Sequence, residues 1–224
     1  MDTPASDFPQ QVESLKELLR AQQIDVSDER IEMLDRYRRL LWSWNERMNL
    51  TRHTTLEKFV NRDIVDSYEL SKLLEHGERV LDVGTGGGVP GLVVAILRPD
   101  LSVSVCESTQ KKARAVEAIV TEMRLPVRVF PSRAEEVLEI ITFDTLVARA
   151  LAPLAKTLGW LQLHWEAFDR LLLIKGRSWV EERSKARQSG RMRGLELRKA
   201  ATYETPGTSA ESVILSIRQG TDVE

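Results

Sequence analysis

Residues 80–91 read Val-Leu-Asp-Val-Gly-Thr-Gly-Gly-Gly-Val-Pro-Gly. A short apolar run ends in an acid, four glycines follow within five positions, and an apolar segment at helical spacing begins at Gly91. This order predicts a strand, a loop of bare backbone and a helix N-terminus, the place where α/β proteins dock nucleoside cofactors. Side chains in the loop would hold such a ligand away from the main chain. The glycines concerned are Gly84, Gly86, Gly87 and Gly88.

Beyond this stretch, short apolar runs alternate with helical patterns. The predicted strands are 79–83, 102–107, 127–130, 145–148 and 171–174, and the predicted helices are 91–97, 111–123, 134–140 and 153–168. Alternation of this kind predicts a parallel sheet that helices cover on both faces. Two further strand-like runs, 196–203 and 212–218, flank Thr-Pro-Gly-Thr and predict a terminal antiparallel hairpin. We expect an α/β fold of the class I, Rossmann-like methyltransferase type, with a mainly parallel seven-stranded sheet.

The first part of the chain lacks this alternation and carries apolar stripes at helical spacing. One stripe covers 12–19, a second begins after a cap at Ser27 or Asp28 and reaches Trp44, and a third helix is predicted over 56–74. We therefore expect residues 1–75 to form an N-terminal helical extension and residues 76–224 to form the methyltransferase domain.

Composition narrows the protein class. The chain is 42% hydrophobic and 29% charged, as in ordinary globular proteins. The first seven residues lack the basic cluster and apolar core of a targeting segment, and no apolar stretch approaches the ~20 residues that span a bilayer. A single cysteine, Cys106, suits a reducing compartment. We expect a cytoplasmic monomer without a membrane partner, and the scattered His53, His76 and His164 predict no metal site.

Positive charge is concentrated in one part of the chain, although the net charge is −2. Residues 170–199 contain ten basic residues against three acidic ones, a local charge of +7. This stretch is suited to phosphate binding, and it is equally compatible with a solvated, partly disordered loop.

The identity of the cofactor depends on the acids around the loop. Gly86, Gly88 and Gly91 satisfy G-x-G-x-x-G, so a nicotinamide or flavin dinucleotide is one possibility. Asp82 favours S-adenosylmethionine, because a carboxylate at the strand end attracts its cationic amino-acid part and repels a pyrophosphate. Glu107 ends the second strand, where it either binds ribose hydroxyls or caps the following helix. A fold that has lost its cofactor is the third possibility.

A set of motifs then occurs in a fixed order. They are Trp-Asn-x-x-x-Asn-Leu-Thr at 44–51, Asp66-Ser67, the glycine loop at 82–91, Glu107-Ser-x-x-Lys111-Lys112, Ser132-Arg133-Ala134-Glu135, Arg149-Ala150 and Lys175-Gly176. Together they resemble the glucose-inhibited division protein B family, the guanine-N7 methyltransferases of 16S rRNA. The resemblance covers roughly residues 42–176.

The resemblance implies both a cofactor site and a substrate. The implied contacts with S-adenosylmethionine are Gly84, Val89, Glu107, Ala134, Glu135 and Arg149. The implied target is N7 of a guanine in the 530 loop of 16S rRNA in the small ribosomal subunit. Guanine N7 carries a lone pair and no proton, so methyl transfer requires positioning and a suitable field rather than a general base.

Candidate catalytic and RNA-binding residues are basic. Arg149 and Lys175 end the fourth and fifth strands, at the sheet edge where substrates bind, and structural ion pairs are the alternative for both. The candidate RNA contacts are Arg62, Lys111, Lys112, Arg187, Arg191 and Arg193.

The chain also departs from the family pattern in several places. Relatives commonly have a histidine at Asp63, an arginine at Lys112 and basic residues near Glu211-Ser212. These changes leave open an RNA-binding relative with weak or lost catalysis.

Overall fold

A computed structural model describes residues 8–208 and 210–220. The first seven residues, in which we expected no targeting segment, lie outside this range. Two helices open the described chain, α1 (Phe8–Ala21) and α2 (Asp28–Asn45). Ser27 caps α2, since its side chain accepts a hydrogen bond from the backbone N–H of Arg30. The sequence predicted both helices and this cap correctly.

The third predicted helix is present but differs from the expected regular helix over 56–74. It consists of α3 (Leu56–Lys58), a π-helical segment (Phe59–Ile64) and α4 (Val65–Ser71). After Ser71 the backbone tightens, since the Leu73 and Leu74 N–H groups donate to the carbonyl oxygens of Leu70 and Ser71. The Arg98 guanidinium also donates hydrogen bonds to the carbonyl oxygens of Ser71 and Leu74, at 2.9 and 3.0 Å. These carbonyls are thereby satisfied without a further helical turn.

Seven strands form one sheet, as predicted. They are β1 (Arg79–Val83), β2 (Ser102–Cys106), β3 (Arg128–Phe130), β4 (Phe143–Arg149), β5 (Phe168–Lys175), β6 (Leu195–Glu204) and β7 (Glu211–Gln219). Their order is β3-β2-β1-β4-β5-β7-β6, with β1 to β5 parallel. The terminal hairpin is antiparallel and pairs with β5 through β7. The carboxyl ends of the parallel strands therefore form one edge of the sheet, which we call the upper edge.

The connecting helices are α5 (Gly91–Leu97), α6 (Gln110–Met123), α7 (Ala134–Leu138), α8 (Leu154–Leu161) and α9 (Trp179–Gln188). The predicted helix over 153–168 was wrong in its second half, because a short 3-10 turn (Trp165–Ala167) follows α8 and β5 begins at Phe168. Trp165 packs against Phe168 with ring centroids 4.8 Å apart. Both rings are buried without a helix, and apolar spacing alone does not distinguish the two arrangements. The basic stretch is also more ordered than a solvated loop, since it contains α9.

Buried side chains form two clusters, one on each face of the sheet. Alternate residues of β5 belong to different clusters, because successive side chains of a strand point to opposite faces. Leu172 and Ile174 belong to the first cluster, and Leu171 and Leu173 belong to the second. The first cluster also includes residues of α1, α2, α5 and α6, so the N-terminal helices share a core with the sheet. The boundary at residue 75 stays a prediction. None of the described helices is long and apolar enough to cross a membrane.

Candidate functional site

The glycine loop follows β1 at the upper edge and turns through left-handed backbone conformations. Gly84, Gly86 and Gly88 have φ angles of 67°, 60° and 103°, which only glycine adopts without strain. The N–H groups of Gly84 and Thr85 donate hydrogen bonds to the Cys106 carbonyl at the end of β2. A Cβ atom at Gly86 would meet no other atom within 4 Å. The Gly86 backbone therefore faces open space, as the sequence predicted for a ligand-binding loop.

Asp82 lies beneath this loop and is fully buried. One oxygen, Oδ2, accepts hydrogen bonds from the Thr85 hydroxyl at 2.5 Å and the Gly91 N–H at 2.8 Å. The other, Oδ1, has no partner among the described residues. Burial raises the pKa of Asp82 to about 6, and the two hydrogen bonds oppose that rise. In this structure Asp82 joins the loop to the start of α5, and its expected contact with a cofactor stays a prediction.

Glu107 follows β2 and connects the loop to the start of α6. Its Oε2 accepts a hydrogen bond from the Gly86 N–H at 3.1 Å, and Oε1 accepts one from the Thr109 N–H at 2.7 Å. Thr109 directly precedes α6, so Glu107 has the capping contact that the sequence left as an alternative. It also lines the cavity described next, so both roles are compatible with its position.

An open cavity of about 450 Å³ lies above the loop, and we call it the loop cavity. Its wall includes Gly84, Thr85, Gly86, Gly87, Val89, Glu107, Lys112, Arg149 and Trp160. On the N-terminal side the wall is made by Leu50 and Thr51, whose N–H groups donate to Asn45 Oδ1 at 2.8 and 2.9 Å. These hydrogen bonds give the Trp-Asn-x-x-x-Asn-Leu-Thr motif a physical role, because Asn45 bends the chain toward the cavity.

A smaller cavity of about 160 Å³ adjoins the loop cavity, and we call it the side cavity. The two share Gly84, Ser108, Leu151 and Trp160. Residues 132–135 form its far wall, so the structure brings Ala134 and Glu135 next to the glycine loop. Their implied contact with the cofactor stays a prediction. No sequence pattern pointed to Leu151 and Trp160, because both reach the cavities through tertiary packing.

Arg149 ends β4 and is held by two carboxylates. Its guanidinium lies 2.7 Å from Asp63 and 3.2 Å from Asp66, both of which are buried. Tyr203 of β6 donates a hydrogen bond to Asp66 at 2.7 Å, and His53 Nδ1 lies 2.7 Å from Asp63. We call these five residues the Arg149 cluster. Burial lowers the pKa of Arg149, but the charges of Asp63 and Asp66 outweigh burial and raise it.

The cluster explains the unusual acid at position 63. Asp63 is fully buried and paired with Arg149, so its negative charge does not face solvent or a nucleic acid. The acid at this position is therefore part of the support of Arg149 rather than a surface contact. The sequence did not predict the contacts that Asp63, Asp66 and Tyr203 make around Arg149, although Asp66 belongs to the Asp66-Ser67 motif.

A third cavity, of about 530 Å³, adjoins the loop cavity at Arg149 and Ala150, and we call it the outer cavity. Lys175 lines it and donates hydrogen bonds to the Ala152 carbonyl at 2.6 Å and to Glu182 at 2.8 Å. Arg149 and Lys175 thus both have the structural ion pairs that the sequence left as alternatives. Both also line cavities at the upper edge, as expected for residues near a substrate.

The predicted RNA contacts fall into two groups. Arg62 lines the outer cavity, Lys112 lines the loop cavity, and Lys111 is exposed on the first turn of α6. The other three lie around a separate cavity at the opposite edge of the sheet and are not brought to the site. They are Arg187, Arg191 and Arg193.

Comparisons with known proteins identify the relatives of this chain. The GidB family model, described as rRNA small subunit methyltransferase G, matches residues 30–209. Ribosomal RNA small subunit methyltransferase G of Rhodopirellula baltica is 49% identical over 178 residues, 80% of this chain and 77% of that protein. Its namesake from Chromobacterium violaceum is 34% identical and covers 88% of this chain and 92% of that protein.

Among solved structures, a mutant of MtNAS in complex with S-adenosylmethionine has a TM-score of 0.55 and 16% sequence identity. The match covers 94% of this chain and 84% of that chain. At this identity the likeness concerns the fold, and it agrees with the predicted class I architecture.

Proposed function

Because the chain belongs to the rRNA small subunit methyltransferase G family, we propose that it is an S-adenosylmethionine-dependent methyltransferase of 16S rRNA. The proposed target is N7 of a guanine in the 530 loop region of the small ribosomal subunit. The observation that carries the proposal is the meeting of two cavities at Arg149, one over a glycine loop and one open to a substrate. Family membership disfavours the dinucleotide alternative.

The loop cavity and the side cavity fit the cofactor. Their volumes of about 450 and 160 Å³ fall together within the range of small-molecule sites, ~300–1,000 Å³. Gly86 lines this space, and a Cβ atom there would meet no protein atom within 4 Å, so its bare backbone leaves room for a ligand. When bound, S-adenosylmethionine supplies a methyl group on a positively charged sulfur. The residues proposed to hold it are Asp82, Gly84, Gly86, Gly88, Val89, Glu107, Ala134, Glu135 and Arg149.

Among these residues, the acids have separate tasks. Glu107 is the proposed ribose acceptor, since its carboxylate lines the cavity and is oriented by the Gly86 and Thr109 N–H groups. Asp82 holds the loop from below and places a carboxyl group under its backbone. Gly88 acts indirectly, because its left-handed backbone allows the loop to turn into α5.

The outer cavity is the proposed site of the target base, with Arg149 and Lys175 at its inner wall. Positive charge passes to the guanine ring during methyl transfer, so an unbalanced cation beside the ring would oppose the reaction. Asp63 and Asp66 balance Arg149, and Glu182 balances Lys175. Both cations can therefore position the base or a phosphate through their N–H groups without creating an excess of positive charge.

The remaining expectations follow from this reaction. A lone pair on guanine N7 attacks directly, so we propose that no metal ion takes part. One chain supplies the walls of all three cavities, which supports action as a monomer.

Two further proposals concern the RNA. Because the proposed substrate is ribosomal RNA, we propose that the protein acts in the cytoplasm. The proposed RNA contacts near the site are Arg62, Lys111 and Lys112.

The test uses small subunits from a strain that lacks this gene, together with cofactor that carries a labelled methyl group. We expect label in 16S rRNA at one N7-methylguanine, located by chemical cleavage at that base. Label that enters only another RNA or a protein would contradict the proposed substrate.

A paired substitution tests the cofactor site directly. Gly86→Val should abolish binding of S-adenosylmethionine in calorimetry, because its side chain enters the loop cavity and strains the turn. Gly77→Val is the matched control, since Gly77 also has a positive φ, 78°, and open space around its Cβ position, away from the cavity. Binding that survives at position 86, or is lost equally at position 77, would contradict the assignment of the loop.

A further inference from the structure

We propose that a cavity at the lower edge of the sheet, opposite the methyl-transfer site, binds phosphates of the RNA substrate. The cavity has a volume of about 870 Å³ and is lined by Arg187, Arg191 and Arg193. We call it the arginine cavity. The inference rests on the proposed function, since it concerns a second contact with the same RNA.

The position of the cavity follows from the strand register. Lys175, at the upper end of β5, pairs with Val213, and Leu171, near its lower end, pairs with Ile217. Gln219 lies further down β7, pairs with Leu195 and lines the arginine cavity. The eight residues of β5 span about 25 Å at ~3.3 Å per residue. The arginine cavity is therefore about the length of a strand away from Arg149.

Within residues 8–208 and 210–220, no carboxylate forms an ion pair with the guanidinium groups that line this cavity. Among the described residues that line it, three are arginines and none is aspartate or glutamate. Arg191 donates a hydrogen bond to the neutral side chain of Gln162. Other cations of the same basic stretch are paired with acids, namely Lys175 with Glu182, Lys185 with Glu181 and Arg198 with Glu196. The three guanidinium groups of the cavity have no such partner among the described residues, and guanidinium N–H groups match the geometry of phosphate oxygens. This combination indicates an anionic ligand.

The backbone holds these arginines in a defined turn. Gly190 and Gly194 have φ angles of 71° and 68° and bracket Arg191 and Arg193. The Arg191 N–H donates a hydrogen bond to the Ala186 carbonyl at the end of α9. Its guanidinium lies over Gly159 of α8, where a Cβ atom would be 3.4 Å from Arg191 Cζ. The turn is thus built against the ends of two helices.

The ligand that best fits this position is the backbone of a long RNA. A substrate that fills the outer cavity at the upper edge must extend about 25 Å to reach the arginine cavity. RNA helices are engaged over such lengths, since one double-stranded RNA-binding domain spans about 16 base pairs. Three arginines in one cavity, with no carboxylate partner in the described part of the chain, also favour binding of a polyanion there.

The test compares two double variants that remove the same formal charge. Arg187→Gln with Arg193→Gln changes the arginine cavity, and Lys185→Gln with Arg198→Gln removes two exposed, ion-paired cations nearby. Binding of the full chain to small subunits lacking the modification is measured without cofactor, at several salt concentrations. The cavity variant should weaken binding severalfold and reduce the slope of log affinity against log salt by about 1.4, ~0.7 per phosphate contact.

The outcome separates this inference from the proposed function. An unchanged slope in the cavity variant, or an equal loss in the paired control, would overturn the phosphate site. Methylation by the cavity variant should show a higher KM for small subunits and an unchanged kcat at saturation, because the cavity is remote from Arg149. A wild-type protein that binds the subunit with the expected salt slope but transfers no methyl group would contradict only the proposed reaction.

Discussion

Asp82 and Glu107 are both acids beside the same loop, yet their surroundings give them different properties. Asp82 is enclosed, with one oxygen holding two hydrogen bonds and the other without a partner among the described residues. Glu107 lines the loop cavity and uses both oxygens. Burial therefore raises the pKa of Asp82 to about 6, from an ordinary value of 3.8.

This raised pKa makes a prediction for Asp82→Asn. Between pH 4 and 6 the folded protein retains a proton at Asp82 that the unfolded chain releases, so this residue lowers stability as pH rises through that window. Asparagine does not titrate there. The free energy of unfolding of the variant relative to wild type should thus increase by about 2 kcal/mol from pH 4 to pH 7.

Urea unfolding of both proteins at the two pH values measures this difference. Parallel pH profiles would contradict the raised pKa. Calorimetry of the same variant with S-adenosylmethionine then tests the predicted cofactor contact, since unchanged binding would leave Asp82 as a support of the loop.

Among the elements, the terminal hairpin and the third helix meet at the Arg149 cluster. Tyr203 of β6 donates its hydroxyl to Asp66 of α4, across 137 positions of sequence. Asp66 in turn contacts Arg149 of β4. Two elements that lie far apart in the sequence thereby hold one side chain at the border between the loop and outer cavities.

Tyr203→Phe should lower the free energy of unfolding by about 1–3 kcal/mol, because it removes a hydrogen bond from a buried carboxylate. It should also lower kcat for methyl transfer, since Arg149 loses part of its support. Tyr68→Phe is the control, because it removes a tyrosine hydroxyl from the same helix as Asp66 and leaves the hydrogen bond between Tyr203 and Asp66 in place. Denaturant unfolding measures the free energy of unfolding, and kinetic assays of methyl transfer measure kcat. A change in stability with unaltered kcat would make Tyr203 purely structural.

At the scale of the whole molecule, the N-terminal helices and the sheet share one core. Leu34 of α2 is fully buried in the cluster that also contains Val147 and Leu172 from the middle of the sheet. A shared core predicts one cooperative unfolding transition rather than separate melting of residues 1–75.

Leu34→Ala should therefore lower the stability of the entire chain by about 2–5 kcal/mol, the usual cost of such a cavity. Far-ultraviolet circular dichroism and tryptophan fluorescence should report the same transition midpoint. Leu163→Ala is the matched control, because Leu163 is 89% exposed and should change stability by no more than about 0.5 kcal/mol. Two resolved transitions in the variant would instead support an independent helical extension.

Local chemistry was sufficient for much of the fold. Glycines at left-handed positions, apolar runs that alternate with helical stripes, and a cap at Ser27 or Asp28 act over a few residues. The parallel core, the terminal hairpin and the glycine loop could therefore be predicted from them. The π-helical segment, the end of α8 and helix α9 were missed. Such elements make contacts that a local pattern does not specify; for example, Glu182 of α9 accepts a hydrogen bond from the Leu154 N–H at the start of α8.

By itself, the sequence determined the class of fold, the family and the positions of the glycine loop, Glu107 and Arg149, because each depends on residue types at short spacing. Tertiary structure alone decided that Asp63, Asp66 and Tyr203 surround Arg149 and that Arg187, Arg191 and Arg193 lie at the opposite edge. The physical reason is that burial and ion pairing depend on which distant elements pack together, and a linear pattern does not specify those contacts.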